Sequence, residues 1–268
     1  MEGADWQMDL TFQAARADAY KSASQKIRNL SENWVSREAY CPNCGQPNMG
    51  EYHNNRPVAD FFCSCCNEDY ELKSQAKIFG PRVVDGAYRT MIERLKGLNN
   101  PNLFLLHYDA VGLSVLDLLV IPKYFFVPEI IEIRKPLSPL ARRAGWIGCN
   151  ISLQGIPHAG RIFLIRNRLV EPKDQVLAKW QSTIFLRDLK DVRAKGWLLS
   201  VMKCIEKIRR RTFTIDELYR FEDELRVTYP SNRHIKEKMR QKLQMLRDIG
   251  YLEFVGRGTY RLIASDFE

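Results

Sequence analysis

Two C-x₂-C pairs, Cys41-Pro-Asn-Cys44 and Cys63-Ser-Cys-Cys66, stand eighteen residues apart and constrain this chain more than any other feature. Four thiolates on two tight turns can close a tetrahedral shell with no open position, the arrangement of a structural zinc. Two such pairs at this separation are a specific signal for metal. Cys65 competes as a ligand only through a C-x-C register, and His53, inside the loop, reads as a polar surface residue. Cys149 and Cys204 are expected to be small buried hydrophobes. Seven cysteines, five of them crowded between Cys41 and Cys66, favour metal binding over a disulfide framework.

The flanks of the second pair carry the chemistry. Two short strand-like runs, 58–62 and 69–73, lie on either side of it. If they pair, Asp60 and Glu71 come together at a fixed place. Side chains alternate along a strand, so Glu71 and Lys73 share one face while Tyr70 and Leu72 take the other. Two carboxylates and the Leu72 carbonyl are hard oxygen donors suited to Mg²⁺. A lysine beside such an ion can orient or deprotonate a water, and the ion can stabilise charge on a phosphate. The tripeptide alone is weak: Glu171-Pro-Lys173 and Asp188-Leu-Lys190 share its spacing, and surface ion pairs are the competing account.

Elsewhere the pattern is mixed. Residues 13–39 have helical spacing, with Ser31 expected to cap a second short helix. Gly80-Pro81 breaks the chain, 87–95 reads as an amphipathic helix ending near Gly97, and 103–107, 115–121 and 161–166 read as strands. Four prolines, Pro122, Pro128, Pro136 and Pro139, make the middle loop-rich. An α/β or α+β domain reaching to about residue 185 follows.

After Gly196 the order becomes helix (197–208), helix (214–227), helix (232–249) and two short strands (251–255 and 259–263) joined by Gly256-Arg257-Gly258. Thr214-Ile-Asp-Glu217 fits a capping box. Three helices and a basic-tipped hairpin is the order of a winged helix. In the third helix Ile235, Met239, Leu243 and Leu246 form an apolar stripe. Arg233, Lys236, Arg240 and Gln241 lie opposite, with Asn232 and His234 near the start. A major groove admits such a helix, and Arg257 and Arg261 on the wing can reach phosphate. The competing account is a solvated helix face.

The net charge of +9 favours a polyanionic partner without naming it. The 45% hydrophobic content excludes global disorder. No apolar run long enough for a membrane span is present. The start, Met1 to Trp6, lacks a basic segment leading into an apolar one, so no secretory signal and a cytoplasmic location are expected.

Four stretches closely resemble the DpnI family of methyl-directed restriction endonucleases. They are Asn54-Asn-Arg-Pro-Val-Ala-Asp-Phe61, Glu71-Leu-Lys-Ser74, Lys135-Pro-Leu-Ser-Pro-Leu-Ala-Arg-Arg-Ala-Gly-Trp-Ile-Gly-Cys-Asn150 and His234-Ile-Lys-Glu-Lys-Met-Arg-Gln-Lys-Leu-Gln-Met-Leu-Arg-Asp248. The likeness runs from about residue 20 to 262. It implies a PD-(D/E)XK nuclease domain with a zinc-ribbon-like insertion over 1–189 and a winged-helix DNA-binding domain over 190–268. It also implies blunt, Mg²⁺-dependent cleavage of double-stranded DNA at GATC sites carrying N6-methyladenine, with both domains reading the same sequence. Carried over by position, Asp60 and Glu71 would hold the magnesium, Lys73 would act on the water, and Cys41, Cys44, Cys63 and Cys66 would hold the zinc. Methyl recognition needs an apolar or aromatic surface in the major groove. Trp146, beside Arg142 and Arg143, is the candidate in the catalytic domain, against an account in which it is a core tryptophan. The extra Cys65, a longer N-terminus, a tail beyond the wing and a different 74–84 loop depart from the family. A monomer is the simplest expectation, and a non-catalytic zinc-ribbon and winged-helix regulator is the alternative.

Overall fold

The computed structural model describes residues 7–17, 22–52, 59–97 and 99–263. Residues 53–58, which include His53 and most of the Asn54–Phe61 stretch, lie outside the described residues, as does part of the 58–62 run. The chain divides into two compact units. The first comprises Met1–Pro81, Asn99–Tyr124 and Gly160–Ile184, and the second Arg82–Leu98, Phe125–Ala159 and Phe185–Glu268. The C-terminal helices thus share a unit with two earlier segments.

The first unit is built on a seven-stranded sheet in the order Gly50–Glu51, Phe61–Phe62, Asp69–Gln75, Asn102–Asp109, Ser114–Ile121, Ile162–Arg166, Leu169–Val170. Within it Asp69–Gln75 pairs in parallel with Asn102–Asp109, placing Glu71 beside Leu103 and Lys73 beside Leu105. The neighbouring pairs are antiparallel. The Tyr70 side of the sheet is the core side. Tyr70 is fully buried and stacks on Phe104 with centroids 4.7 Å apart, and Trp180 of the helix Lys173–Gln181 lies 6.5 Å from it. Trp34 and Val35, from the helix Ala23–Glu38, belong to the same apolar cluster.

That helix corrects the expectation of a break at Ser31. It runs unbroken through Ser31, which is buried and caps nothing. A serine inside a helix must satisfy its hydroxyl locally. Ser31 does so, lying 3.0 Å from the Arg28 carbonyl and 3.0 Å from the Ser74 hydroxyl on the sheet.

The second unit holds two three-stranded sheets. One orders Arg82–Ala87, Gly148–Ser152 and Ile131–Ile133, all antiparallel, in a region expected to be mostly loop. The other, ordered Thr212–Thr214, Thr259–Leu262, Leu252–Gly256, carries the expected hairpin and adds a strand in the gap between the first two expected helices. The helices here are Tyr88–Lys96, Phe185–Asp188, Val192–Ile208, Ile215–Tyr219, Glu222–Thr228 and Ile235–Asp248. Val192–Ile208 starts before Gly196 because the Asp191 carboxylate accepts from the Arg193 N–H at 2.9 Å, an N-cap five residues upstream. The capping box forms as read, with Thr214 and Glu217 bonded in both directions. The helix it starts stops at Tyr219, so the single helix expected over 214–227 is two. Ile235, Met239, Leu243 and Leu246 are all buried, so the apolar stripe faces inward. The result is a winged helix with one more strand and one more helix than anticipated. Among the described residues no helix is long and apolar enough to cross a membrane.

Candidate functional site

The two cysteine knuckles fold alike. In each, the residue after the second cysteine donates its N–H to the carbonyl of the first, Gly45 to Cys41 at 2.8 Å and Asn67 to Cys63 at 2.9 Å. Both residues sit in the left-handed region, at φ 75° and 58°, where glycine and asparagine are the tolerated types. The sequence therefore places a turn former at the one position of each knuckle that needs it. The four sulfurs of Cys41, Cys44, Cys63 and Cys66 lie within 4.8 Å of one another, with Cys41–Cys66 and Cys44–Cys63 both at 3.5 Å. A tetrahedral zinc with Zn–S near 2.3 Å spaces its sulfurs about 3.8 Å apart, so this set fits zinc. Burial pushes the Cys41 thiol up strongly and that of Cys44 up to about 12. At Cys63 burial acts in the same sense but is outweighed by the N–H groups of Cys66 and Cys65, which hold the thiol below its ordinary value. Cys65 is exposed and outside the cluster, whereas Cys149 and Cys204 are buried as expected.

The second knuckle is the corner of a short hairpin. Phe61 pairs with Tyr70 and Phe62 with Asp69, and the Asp60 N–H donates to the Tyr70 carbonyl at 2.9 Å. That bond ties Asp60 to the strand at Tyr70, one residue before Glu71. One Asp60 oxygen accepts from the Leu72 N–H at 2.7 Å, which fixes the carboxylate over the strand Asp69–Gln75. Lys73 Nζ donates to Glu71 Oε1 at 2.8 Å, so acid and amine share a face, as strand alternation requires. All three side chains are about three-quarters covered yet reach solvent, at 27%, 22% and 23% exposure for Asp60, Glu71 and Lys73. Two acids and an amine thus lie within one hairpin, and the acids are oxygen donors of the kind a hard divalent cation takes.

A third carboxylate joins them that the sequence did not single out. Arg28 lies 2.6 Å from Glu32, one turn on in the same helix, and 3.9 Å from the other Asp60 oxygen. Burial, followed at some distance by the charges of Asp60 and Glu51, pushes the Glu32 carboxyl above its ordinary value, while Arg28 opposes the shift. No local motif marks Glu32, since an Arg–Glu pair one helical turn apart is common on any exposed helix. Groups that steady a catalytic carboxylate typically contribute 10- to 100-fold. Glu32→Gln is accordingly expected to slow single-turnover cleavage by about tenfold or more. A rate equal to wild type would leave Glu32 an ordinary ion-pair partner.

In the second unit, Asn232, Arg233 and His234 line a cleft of 720 Å³ together with Arg193, Trp197 and Tyr229. Asn232 accepts from the His234 N–H at 2.8 Å and so turns the chain into the helix Ile235–Asp248. Arg233 and Arg240 are exposed, as is Arg257 in the wing. Lys236 is engaged instead, 3.3 Å from Glu222 and over the Tyr219 ring, and Arg261 pairs with Glu253 across the wing. Arg142 and Arg143 are exposed, and Trp146 is half-buried. The Arg143 guanidinium lies 4.6 Å from the centre of the indole, whose edge presses on Gly148 so closely that a Cβ there would meet it at 2.8 Å.

Family comparison decides what these pieces belong to. A family model named DpnI, the Dam-replacing family, matches residues 8–189, and a second, the Dam-replacing HTH domain, matches residues 193–262. The chain belongs to the Dam-replacing family. Membership of the DpnI, Dam-replacing family supports a methylation-dependent restriction endonuclease that binds DNA through its C-terminal HTH domain. It accounts for both halves of the chain, since the cysteine cluster and acidic hairpin fall in the first match and the winged helix in the second.

Proposed function

We propose that this protein is a type II, methyl-directed endonuclease that cuts double-stranded DNA at GATC sites carrying N6-methyladenine, using Mg²⁺ and leaving blunt ends. In this reading residues 1–189 form the nuclease domain and 190–268 the DNA-binding domain. The observation that carries it is the convergence of Asp60, Glu71 and Lys73 on one hairpin in a chain of this family.

Asp60 and Glu71, with the Leu72 carbonyl, would hold the divalent cation. When bound, that ion supplies charge stabilisation to the scissile phosphate and lowers the pKa of a coordinated water. The protein's own residues do the rest. The Leu72 N–H holds the Asp60 carboxylate in place, so little reorganisation is needed when DNA arrives. Glu71 holds the Lys73 amine in reach of the attacking water, where it would orient that water and, once its own ammonium proton has passed to solvent, accept one from it. Arg233, Arg240 and Arg257 are free to meet phosphate or base edges, whereas Lys236 and Arg261 would first have to leave their ion pairs. Because phosphate contacts release counterions, binding should weaken steeply with salt.

Trp146 is the methyl sensor in this reading. Its edge is fixed by Gly148 and its face is covered by Arg143, which leaves a rigid indole beside two exposed arginines. The test is a cleavage series with Mg²⁺ on unmethylated, half-methylated and fully methylated duplexes. Cutting is expected only where adenine is methylated, and intact methylated DNA across a range of salt would overturn the proposal. In the same series Trp146→Ala should shrink the preference for methylated sites by about tenfold, the scale of one recognition contact. An unchanged preference would make Trp146 a packing residue.

A further inference from the structure

The loop that carries Trp146 ends in a feature that the cleavage chemistry does not use. Its base is closed by two backbone bonds, from the Leu137 N–H to the Trp146 carbonyl at 2.9 Å and from the Gly145 N–H to the Leu137 carbonyl at 3.1 Å. Its tip is a tight turn, Ser138-Pro139-Leu140-Ala141, closed by the Ala141 N–H on the Ser138 carbonyl at 3.0 Å. Pro139 sets the first central position, and the second is held by Leu140, which is 98% exposed. Turn apices favour glycine, asparagine, aspartate and serine, whose backbones or side chains suit the bend. Leucine brings no such advantage and sets a whole apolar side chain in water. The surroundings are equally particular. From Ile133 to Asn150 there is no acidic residue, while Arg134, Lys135, Arg142 and Arg143 supply four cations.

A braced loop with an apolar apex and arginines behind it has the composition of a DNA wedge. Such proteins press a leucine, proline or similar side chain between base pairs and use cationic side chains on the backbone beside it. Resting on DNA as the substrate, we infer that Pro139 and Leu140 enter the duplex at a base step, with Arg142 and Arg143 held on the flanking phosphates. The unstacking is offset by burial of an apolar side chain that is exposed in the free protein. Unstacking depends on sequence, so the loop adds discrimination at a position it reads without a hydrogen bond. Val111 provides an internal comparison. It too is a nearly fully exposed apolar residue at a turn, 94%, but it sits beside the Asp109 carboxylate, which accepts its N–H at 3.0 Å. An acid at that place disfavours a polyanion.

The experiment uses the full-length protein bound to a duplex with one methylated GATC in Ca²⁺ without Mg²⁺, with permanganate oxidation of thymines reporting unstacking. Wild-type protein and Val111→Ala should make the thymines at one step reactive. Leu140→Ala should melt at the same temperature as wild type, lose that reactivity, and bind the intact duplex about tenfold more weakly. On a duplex carrying a one-nucleotide bulge at the same step, where unstacking is already present, its affinity should return to within about twofold of wild type. Reactivity that persists in Leu140→Ala overturns the wedge. So does a loss of affinity equal on both duplexes, which would mean a groove contact instead. Parallel cleavage in Mg²⁺ separates the two proposals: wild type that unstacks without cutting removes the nuclease reading and supports the wedge, and wild type that cuts while Leu140→Ala behaves identically removes the wedge alone.

Discussion

Lys73→Ala should reduce cleavage of methylated DNA by about a thousandfold, the range expected for loss of a positioned proton acceptor, while the protein still shifts the same DNA in a gel. The substitution removes an amine that is bonded at 2.8 Å to Glu71 and otherwise reaches solvent. It leaves Asp60 fixed by the Leu72 N–H and leaves the sheet register untouched. Folding should therefore survive, and with it the winged helix that supplies much of the binding. The effect belongs in the chemical step, so it should appear in single-turnover rates at saturating protein and should not yield to more enzyme. Lys73→Arg keeps the charge but brings a guanidinium that cannot be deprotonated in a protein, and it should be nearly as slow. If the arginine variant recovers most of the rate, the residue acts as a fixed charge. If the alanine variant cuts normally, Lys73 has no part in the reaction, and the account of Asp60, Glu71 and Lys73 as surface charges of a DNA-binding regulator gains its strongest support.

Features that rest on local chemistry were readable before folding. The knuckles depend on spacing and on one turn former each, Gly45 and Asn67, so the sulfur cluster was visible in the string. The shared face of Glu71 and Lys73 follows from strand period alone. The inward stripe of Ile235–Asp248 and the capping box at Thr214 are equally local. What could not be read depends on partners far away in the chain. Ser31 looked like a cap because serine usually is one, and only the Ser74 hydroxyl, forty-three residues on, shows why the helix continues through it. The Arg82–Ala87, Gly148–Ser152, Ile131–Ile133 sheet joins short segments across more than sixty positions, and the prolines between those segments made the region read as loop. Glu32 becomes part of the site only because folding sets Arg28 between it and Asp60. Lys236 and Arg261 looked free because the acids that hold them, Glu222 and Glu253, sit on other elements.

The cluster of four cysteines, whose sulfurs fit a zinc ion, governs more than its own loop, which sets the second large effect. Cys63 and Cys66 form the corner from which Phe61–Phe62 and Asp69–Gln75 run back beside each other. Cys41 is fully buried, with its sulfur 3.1 Å from the hydroxyl of Tyr70, the residue that anchors the core side of the strand Asp69–Gln75. Removing the metal therefore acts on the hairpin that holds Asp60 against Tyr70 and Leu72. Cys41→Ser and Cys63→Ser should each forfeit most of a structural site whose binding free energy is about 10 kcal/mol, comparable to the whole stability of a domain. The expected results are less than one zinc per chain by metal analysis, a melting temperature lowered by tens of degrees or loss of soluble protein, and no cleavage. Cys65→Ser is the control and should keep zinc, melting temperature and activity, because its sulfur lies outside the cluster. Acid should imitate the loss, since thiols must shed protons to bind zinc and regain them as the pH falls. A Cys41→Ser protein that melts and cuts like wild type would detach the metal from the catalytic geometry. The hairpin would then be held by its backbone bonds and by Tyr70 packing on Phe104 alone.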